Sequence, residues 1–254
     1  MGVVIAIIAL LVVGFILYKS GILNFAKKEK VAEDKTAKRT IAISDEINAF
    51  DIRIEIDNVE IKAGEEFKIV TSNPNLVTSE SANVISVLSA GNPGLETSTI
   101  IYVPDTKKLA YIYAAVDTGN AYIASVMVKE LKVQVKTGNL MLDKAMVSEN
   151  GTYITEKGNI VMGEGSYYNS IINIETGNFT GTTKLCGETK MVVDIGNITI
   201  KSMRDLKSYT IKCKTENGRI GCDGIKGDKI VYGKGKELID CLVKQGNITI
   251  NYFE

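Results

Sequence analysis

Histidine and tryptophan are both absent from the 254 residues, and proline occurs only three times. The missing histidine removes the commonest general base and the commonest metal ligand. Charge of one sign is not in excess. Lys+Arg and Asp+Glu number 30 each, so net charge gives no reason to expect nucleic acid or an acidic substrate as partner. The four cysteines, Cys186, Cys213, Cys222 and Cys241, contain no CxxC and lack the paired short spacings of a zinc ribbon. No metal site, cofactor site or catalytic set is expected. What is abundant is glycine, 23 residues of it, much of it at regular spacing.

The chain opens on an uncharged run, GVVIAIIALLVVGFILY, from Gly2 to Tyr18. As a helix it would span roughly 26 Å, the short end of a membrane-crossing segment. Tyr18 and Lys19 stand where an interfacial ring and a snorkelling ammonium belong. A cleaved signal peptide would want a basic start and a small-x-small cleavage site, and neither is visible. Residues 1–19 are therefore expected to form a single transmembrane anchor, with the lipid bilayer as partner through residues 2–18. Residues 20–40 read as a mixed-charge linker. Lys19, Lys27, Lys28 and Lys30 follow the apolar run, which favours a cytoplasmic side for what comes after it.

From Ile41 to Glu254 helical periodicity gives way to alternation. Ile52, Ile54 and Ile56 alternate with Arg53, Glu55 and Asp57, the pattern of a half-buried strand. The second half repeats, from DTGNAYI through KTGNLML, EKGNIVM, ETGNFTG, DIGNITI and ENGRIGC to KQGNITI, within residues 117–250. Its glycines are Gly119, Gly138, Gly158, Gly177, Gly196, Gly218 and Gly246, spaced by 19, 20, 19, 19, 22 and 28. Short strands at a period near 20 predict an all-β, solenoid-like stack of the parallel β-helix or β-roll type. The last, longer interval predicts an excursion from one rung.

Alignment on the glycine gives columns. Residues two after it (Ala121, Leu140, Ile160, Phe179, Ile198, Ile220, Ile248), four after it and three before it should face one apolar interior. The glycine suits a corner that requires positive φ. Asn120, Asn139, Asn159, Asn178, Asn197 and Asn247 follow it in six of the seven repeats, and stacked rungs would align their amides into a ladder. Cys213 and Cys241 share a column five residues before their glycines, so a disulfide is possible, two buried thiols being the alternative. Asp117, Glu156, Glu175 and Asp194 form an acidic column two residues before the glycine, interrupted by Lys136, and read as solvated surface. A stack ending at NITINYFE leaves its last rung open, so homo-oligomerisation is also an expectation.

The segment TIIYVPDTKKLAYIYAAVDTGN and the GN-I-x-I repeats after it resemble bacterial putative-adhesin β-strand-repeat domains, and LiaG-type envelope-stress proteins are similar. The resemblance covers about residues 41–254. It implies a stacked β-fold, frequent membrane attachment and a place in the cell envelope or its stress response, with no catalytic residues to carry over. It suggests that the domain lies outside the membrane, against the flanking lysines. The expected function is a non-enzymatic binding or scaffold module for an unknown protein or envelope ligand. A surface adhesin and a degenerate carbohydrate-active β-helix are the alternatives.

Overall fold

Most strands among the described residues owe their place to alternating side chains. In Ala49–Ile56, Phe50, Ile52 and Ile54 are buried while Arg53 and Glu55 face water. The computed structural model describes residues 38–93 and 96–253, and the alternation recurs in most of their strands, the short covering strands at the edges excepted. They are all-β, and a single 3-10 turn at Leu206–Ser208 is the one helical element among them. The anchor expected at residues 1–19 and the linker expected at 20–40, apart from its last three residues, lie outside the described residues. Among the described residues no helix is long and apolar enough to cross a membrane.

All the glycine corners but Gly177, where Ser170–Thr176 leads into the similarly long Phe179–Cys186, join a longer arm to a shorter one. The Gly119 rung pairs Lys108–Thr118 with Ala121–Ala124, and the Gly138 rung pairs Met127–Thr137 with Leu140–Asp143. Long arms hydrogen-bond to long arms in parallel and short arms to short arms, with corner matched to corner. The one interval of 20 among those of 19 has a visible cause. Val128 pairs with Val147, yet Glu130 pairs with Asn150, so the Gly158 rung carries one extra residue in a bulge.

The three inward columns form a continuous core. Ala121, Leu140, Ile160, Phe179, Ile198, Ile220 and Ile248 are all buried, as are Val116, Val135, Ile174, Val193 and Val243. Packing adjusts between neighbours. Phe179 is the bulkiest member of its column, and Gly181, two residues on, leaves room for its ring, 2.9 Å from where a Cβ would stand.

The two ends depart from sequential stacking. The last strands, Glu237–Gln245 and Ile248–Tyr252, do not form the outer rung. They lie between the Gly196 rung and the Gly218 rung, pairing in parallel with both. The expectation of an open edge at NITINYFE is therefore corrected. The edge belongs to Tyr209–Asn217 and Ile220–Cys222, and the excursion covers it with two short antiparallel strands, Lys229–Tyr232 and Ile225–Gly227. The other end repeats the device. Ala49–Ile56 and Asn58–Gly64 lie between the Gly119 rung and the outer strands Val84–Ser89 and Ser98–Pro104. Leu76–Ser81 and Lys68–Thr71 then close that edge antiparallel, with Arg39–Ala42 beyond. Short antiparallel covers keep the parallel ladders from offering long free edges.

Candidate functional site

The corner column is the first place where side chains do more than fill space. Asn120 donates from its backbone N–H (3.1 Å) and from Nδ2 (2.8 Å) to Oδ1 of Asn58. The same double contact passes from Asn139 to Asn120, Asn159 to Asn139, Asn178 to Asn159, Asn197 to Asn178, and Asn247 to Asn197. Arg219 closes the ladder, its backbone N–H reaching Oδ1 of Asn247 at 3.0 Å. Only an amide both accepts twice through oxygen and donates through nitrogen, which is why asparagine recurs here.

The glycines have two reasons to be glycine. Gly119, Gly138, Gly158, Gly177, Gly196 and Gly246 hold φ between 137° and 153°. In addition, a Cβ at any of the seven, Gly218 included, would collide with the carbonyl oxygen of the corner in the adjacent rung. The first corner has Asp57 instead. Its carboxylate is buried and accepts from the Asn58 N–H (2.8 Å), Asn73 Nδ2 (3.1 Å) and Thr99 Oγ1 (2.6 Å). That network ties the antiparallel cover to the stack.

The remaining residues singled out in the sequence are placed as follows. Cys213 and Cys241 are direct register partners, both buried, and all four cysteines are free thiols. The neighbouring Cys213 thiol and then burial push Cys241 well above its ordinary value, and burial pushes Cys222 up to about 12. Asp117, Lys136, Glu156, Glu175 and Asp194 form one outward column, with ion pairs Lys136–Asp117 at 2.7 Å and Lys244–Asp194 at 2.8 Å. No group of three or more His, Cys, Asp or Glu side chains positioned for a metal occurs among the described residues.

A different spot is a shallow, open recess. On the outer flank of the long arms, a hollow of about 360 Å³ is lined by Asp51, Ile52, Arg53, Tyr113, Ala114, Ala115, Lys132 and Gln134. Tyr111 and Tyr113, two apart on one strand, face outward together and stack with ring centroids 4.5 Å apart at 25°. Glu130 accepts from the Tyr113 hydroxyl at 3.1 Å and holds the ring. Partial burial, and then that carboxylate, raise the phenol above its ordinary value, so it stays protonated at neutral pH. Ala115 is the floor, flanked across the ladder by Arg53 and Gln134, while Asp51 and Lys132 flank Tyr113. Arg53 is fixed to Asp51 through Nε (3.2 Å) and a terminal nitrogen (3.0 Å).

None of these hollow-lining residues stands out when the chain is read for motifs. The signal lies in the repeat itself. Six residues before the glycine, where one rung has Tyr113, the others have Lys132, Thr152, Ile171, Lys190, Lys212 and Asp240. Four before it, where that rung has Ala115, the others have Gln134, Ile154, Asn173, Val192, Lys214 and Leu242. One rung thus combines the aromatic shelf with the smallest floor.

No protein-family model and no curated protein matches the chain. Among solved structures, the chain is similar to a "putative cell adhesion protein" from Clostridium sporogenes (18% identity, 86% of this chain and 100% of that one, TM-score 0.40). It is similar also to a "putative adhesin" from Bacteroides fragilis (13% identity, 87% and 98%, TM-score 0.49). A third is a "putative lipid binding protein" from Parabacteroides distasonis (13% identity, 85% and 96%, TM-score 0.31). Two of these three bacterial proteins carry adhesin or adhesion descriptions.

Proposed function

We propose that this chain is a non-enzymatic binding or scaffold module of the bacterial cell envelope. In this reading it is a β-solenoid of the parallel β-helix or β-roll type, held to the bilayer by residues 2–18. Parallel stacking of corner on corner supports the solenoid reading. The observation that carries the functional reading is the Tyr113 hollow. It is a shallow, polar-rimmed recess on the flank of a repeat whose interior is filled with hydrocarbon. The uncharged run at Gly2–Tyr18 supports attachment to a membrane.

Retention of the full-length chain on isolated cell-envelope fragments tests the proposal, with an unrelated β-domain of equal charge as control. Retention no better than the control would sink it. Fusions of alkaline phosphatase and of a fluorescent protein after Glu254 decide the side of the membrane. Phosphatase activity places the domain outside, where an adhesin role fits. Fluorescence alone places it inside and removes that role.

A further inference from the structure

The hollow beside Tyr113 also has a chemistry, and we infer that it is a subsite for one ring of a neutral carbohydrate; this inference rests on the binding-module reading above. A repeat protein supplies its own internal comparison. Every rung must satisfy the same corner, the same ladder and the same core, so a residue that fold alone requires should recur in its column. Tyr111 and Tyr113 do not recur, and neither does a residue as small as Ala115. Both departures fall on one rung and on the outward face, where the core does not need them.

The geometry suits a sugar ring. Tyr111 backs one face of Tyr113, while the small Ala115 next along the strand leaves room beside the ring. A pyranose presents a face of weakly positive C–H bonds, the complement of the negative π face of a phenol. Its hydroxyls form a belt around that face. Arg53 and Gln134 stand on the strands to either side of Ala115, about 10 Å apart as two strand spacings. That separation lets both reach the belt of a ring seated between them. Gln134 offers a donor and an acceptor, and Lys132 offers a donor. The side chain of neither makes a hydrogen bond or an ion pair with another described residue.

Other ligand classes fit less well. Arg53 and Lys132 are balanced by Asp51 and Glu130, so the hollow has no net positive charge to hold a phosphate or a nucleic acid. The strand Lys108–Thr118 has both edges occupied, so a peptide cannot add to it by main-chain hydrogen bonds.

The test uses the full-length chain in lipid nanodiscs, which avoids glycoside detergents. Cellotetraose, tetra-N-acetylchitotetraose and mannotetraose are offered in turn, and binding is read by saturation-transfer NMR. At least one should show transfer concentrated on the C–H protons of a single ring face. Tyr113→Ala and Ala115→Ile should each weaken it at least tenfold, while Ile171→Ala, three strands away in the same column as Tyr113, should leave it unchanged. Ala115→Ile fills the floor without endangering the fold, because Ile154 occupies the same column two rungs on. Transfer from none of the three saccharides, or transfer that survives Ala115→Ile, overturns the inference. Envelope retention without saccharide transfer overturns this inference and leaves the binding-module reading standing. Saccharide transfer without envelope retention leaves the subsite standing and overturns only the placement of the module at the cell envelope.

Discussion

Asn159 sits in the middle of the amide ladder, and its removal should cost more than any outward side chain nearby. Its Oδ1 accepts from the backbone N–H (3.0 Å) and Nδ2 (3.1 Å) of Asn178, and its Nδ2 donates to Asn139 at 3.0 Å. Asn159→Ala deletes all three and strands two donors of Asn178. At roughly 1 kcal/mol each the loss is about 3 kcal/mol, and water reaching this half-buried corner reduces it to about 2. For a domain of this size that is a fall in melting temperature of roughly 4–8 °C. Circular-dichroism melts compare it with Asn173→Ala on the open flank, which should change stability by less than about 0.5 kcal/mol. Hydrogen exchange at the Asn178 amide reports the local effect. Asn159→Asp sharpens the test. A carboxylate keeps the acceptor for Asn178 but faces Oδ1 of Asn139 with a second oxygen, whereas the protonated acid can donate. Folding then raises the acid's pKa, so the variant approaches wild-type stability below about pH 4 and loses it as the pH climbs through the folded value. Equal costs for Asn159→Ala and Asn173→Ala, or a flat pH profile for Asn159→Asp, would refute the ladder argument.

Gly177→Ala should be far worse, above about 4 kcal/mol, because its Cβ meets the Gly158 carbonyl at φ 148°; a soluble, normally melting variant would contradict this. Alkylation of the native protein at pH 8 should spare the three buried cysteines and modify at most Cys186. With a thiol at about 12, Cys222 is ionised in only about one part in 10,000 at that pH, and mass spectrometry after urea should show all four modified. The same raised value means that folding retains the thiol proton. This stabilisation is intact below the ordinary thiol pKa and is lost as pH rises toward about 12, a loss that Cys222→Ala should lessen in alkaline denaturation curves. Tyr153 is fully buried edge-on to Tyr167, and its hydroxyl has no partner among the described residues. Tyr153→Phe should therefore stabilise the fold by about 1 kcal/mol, and a loss of stability would show that the hydroxyl is satisfied.

The GN corners were legible because glycine recurs seven times and asparagine six in one chain, so both stand out against variable neighbours. The ladder's first member was not. Asn58 follows Asp57 rather than glycine, and Asp57 is tolerated only because Asn73 and Thr99 bind its carboxylate. The interleaving of the ends was equally hidden. A 28-residue interval announces an excursion, but which rung the chain rejoins depends on the packing of strands remote in sequence. The Tyr113 hollow was legible only as a departure from columns. A reading tuned to what repeats passes over the residues that do not.

The insertion of both terminal rungs one place inward has a consequence for growth and assembly. A stack whose chain ends lie at its tips can lengthen by adding a repeat at either terminus. Here each parallel ladder ends on an internal segment that is already covered antiparallel, so an added terminal repeat would find no free parallel ladder to join. Lengthening must come from duplication among the central rungs. At the ribosome, the slot between the Gly196 and Gly218 rungs is completed only by residues 237–252, so that end of the stack closes after the rung at its tip has already been made.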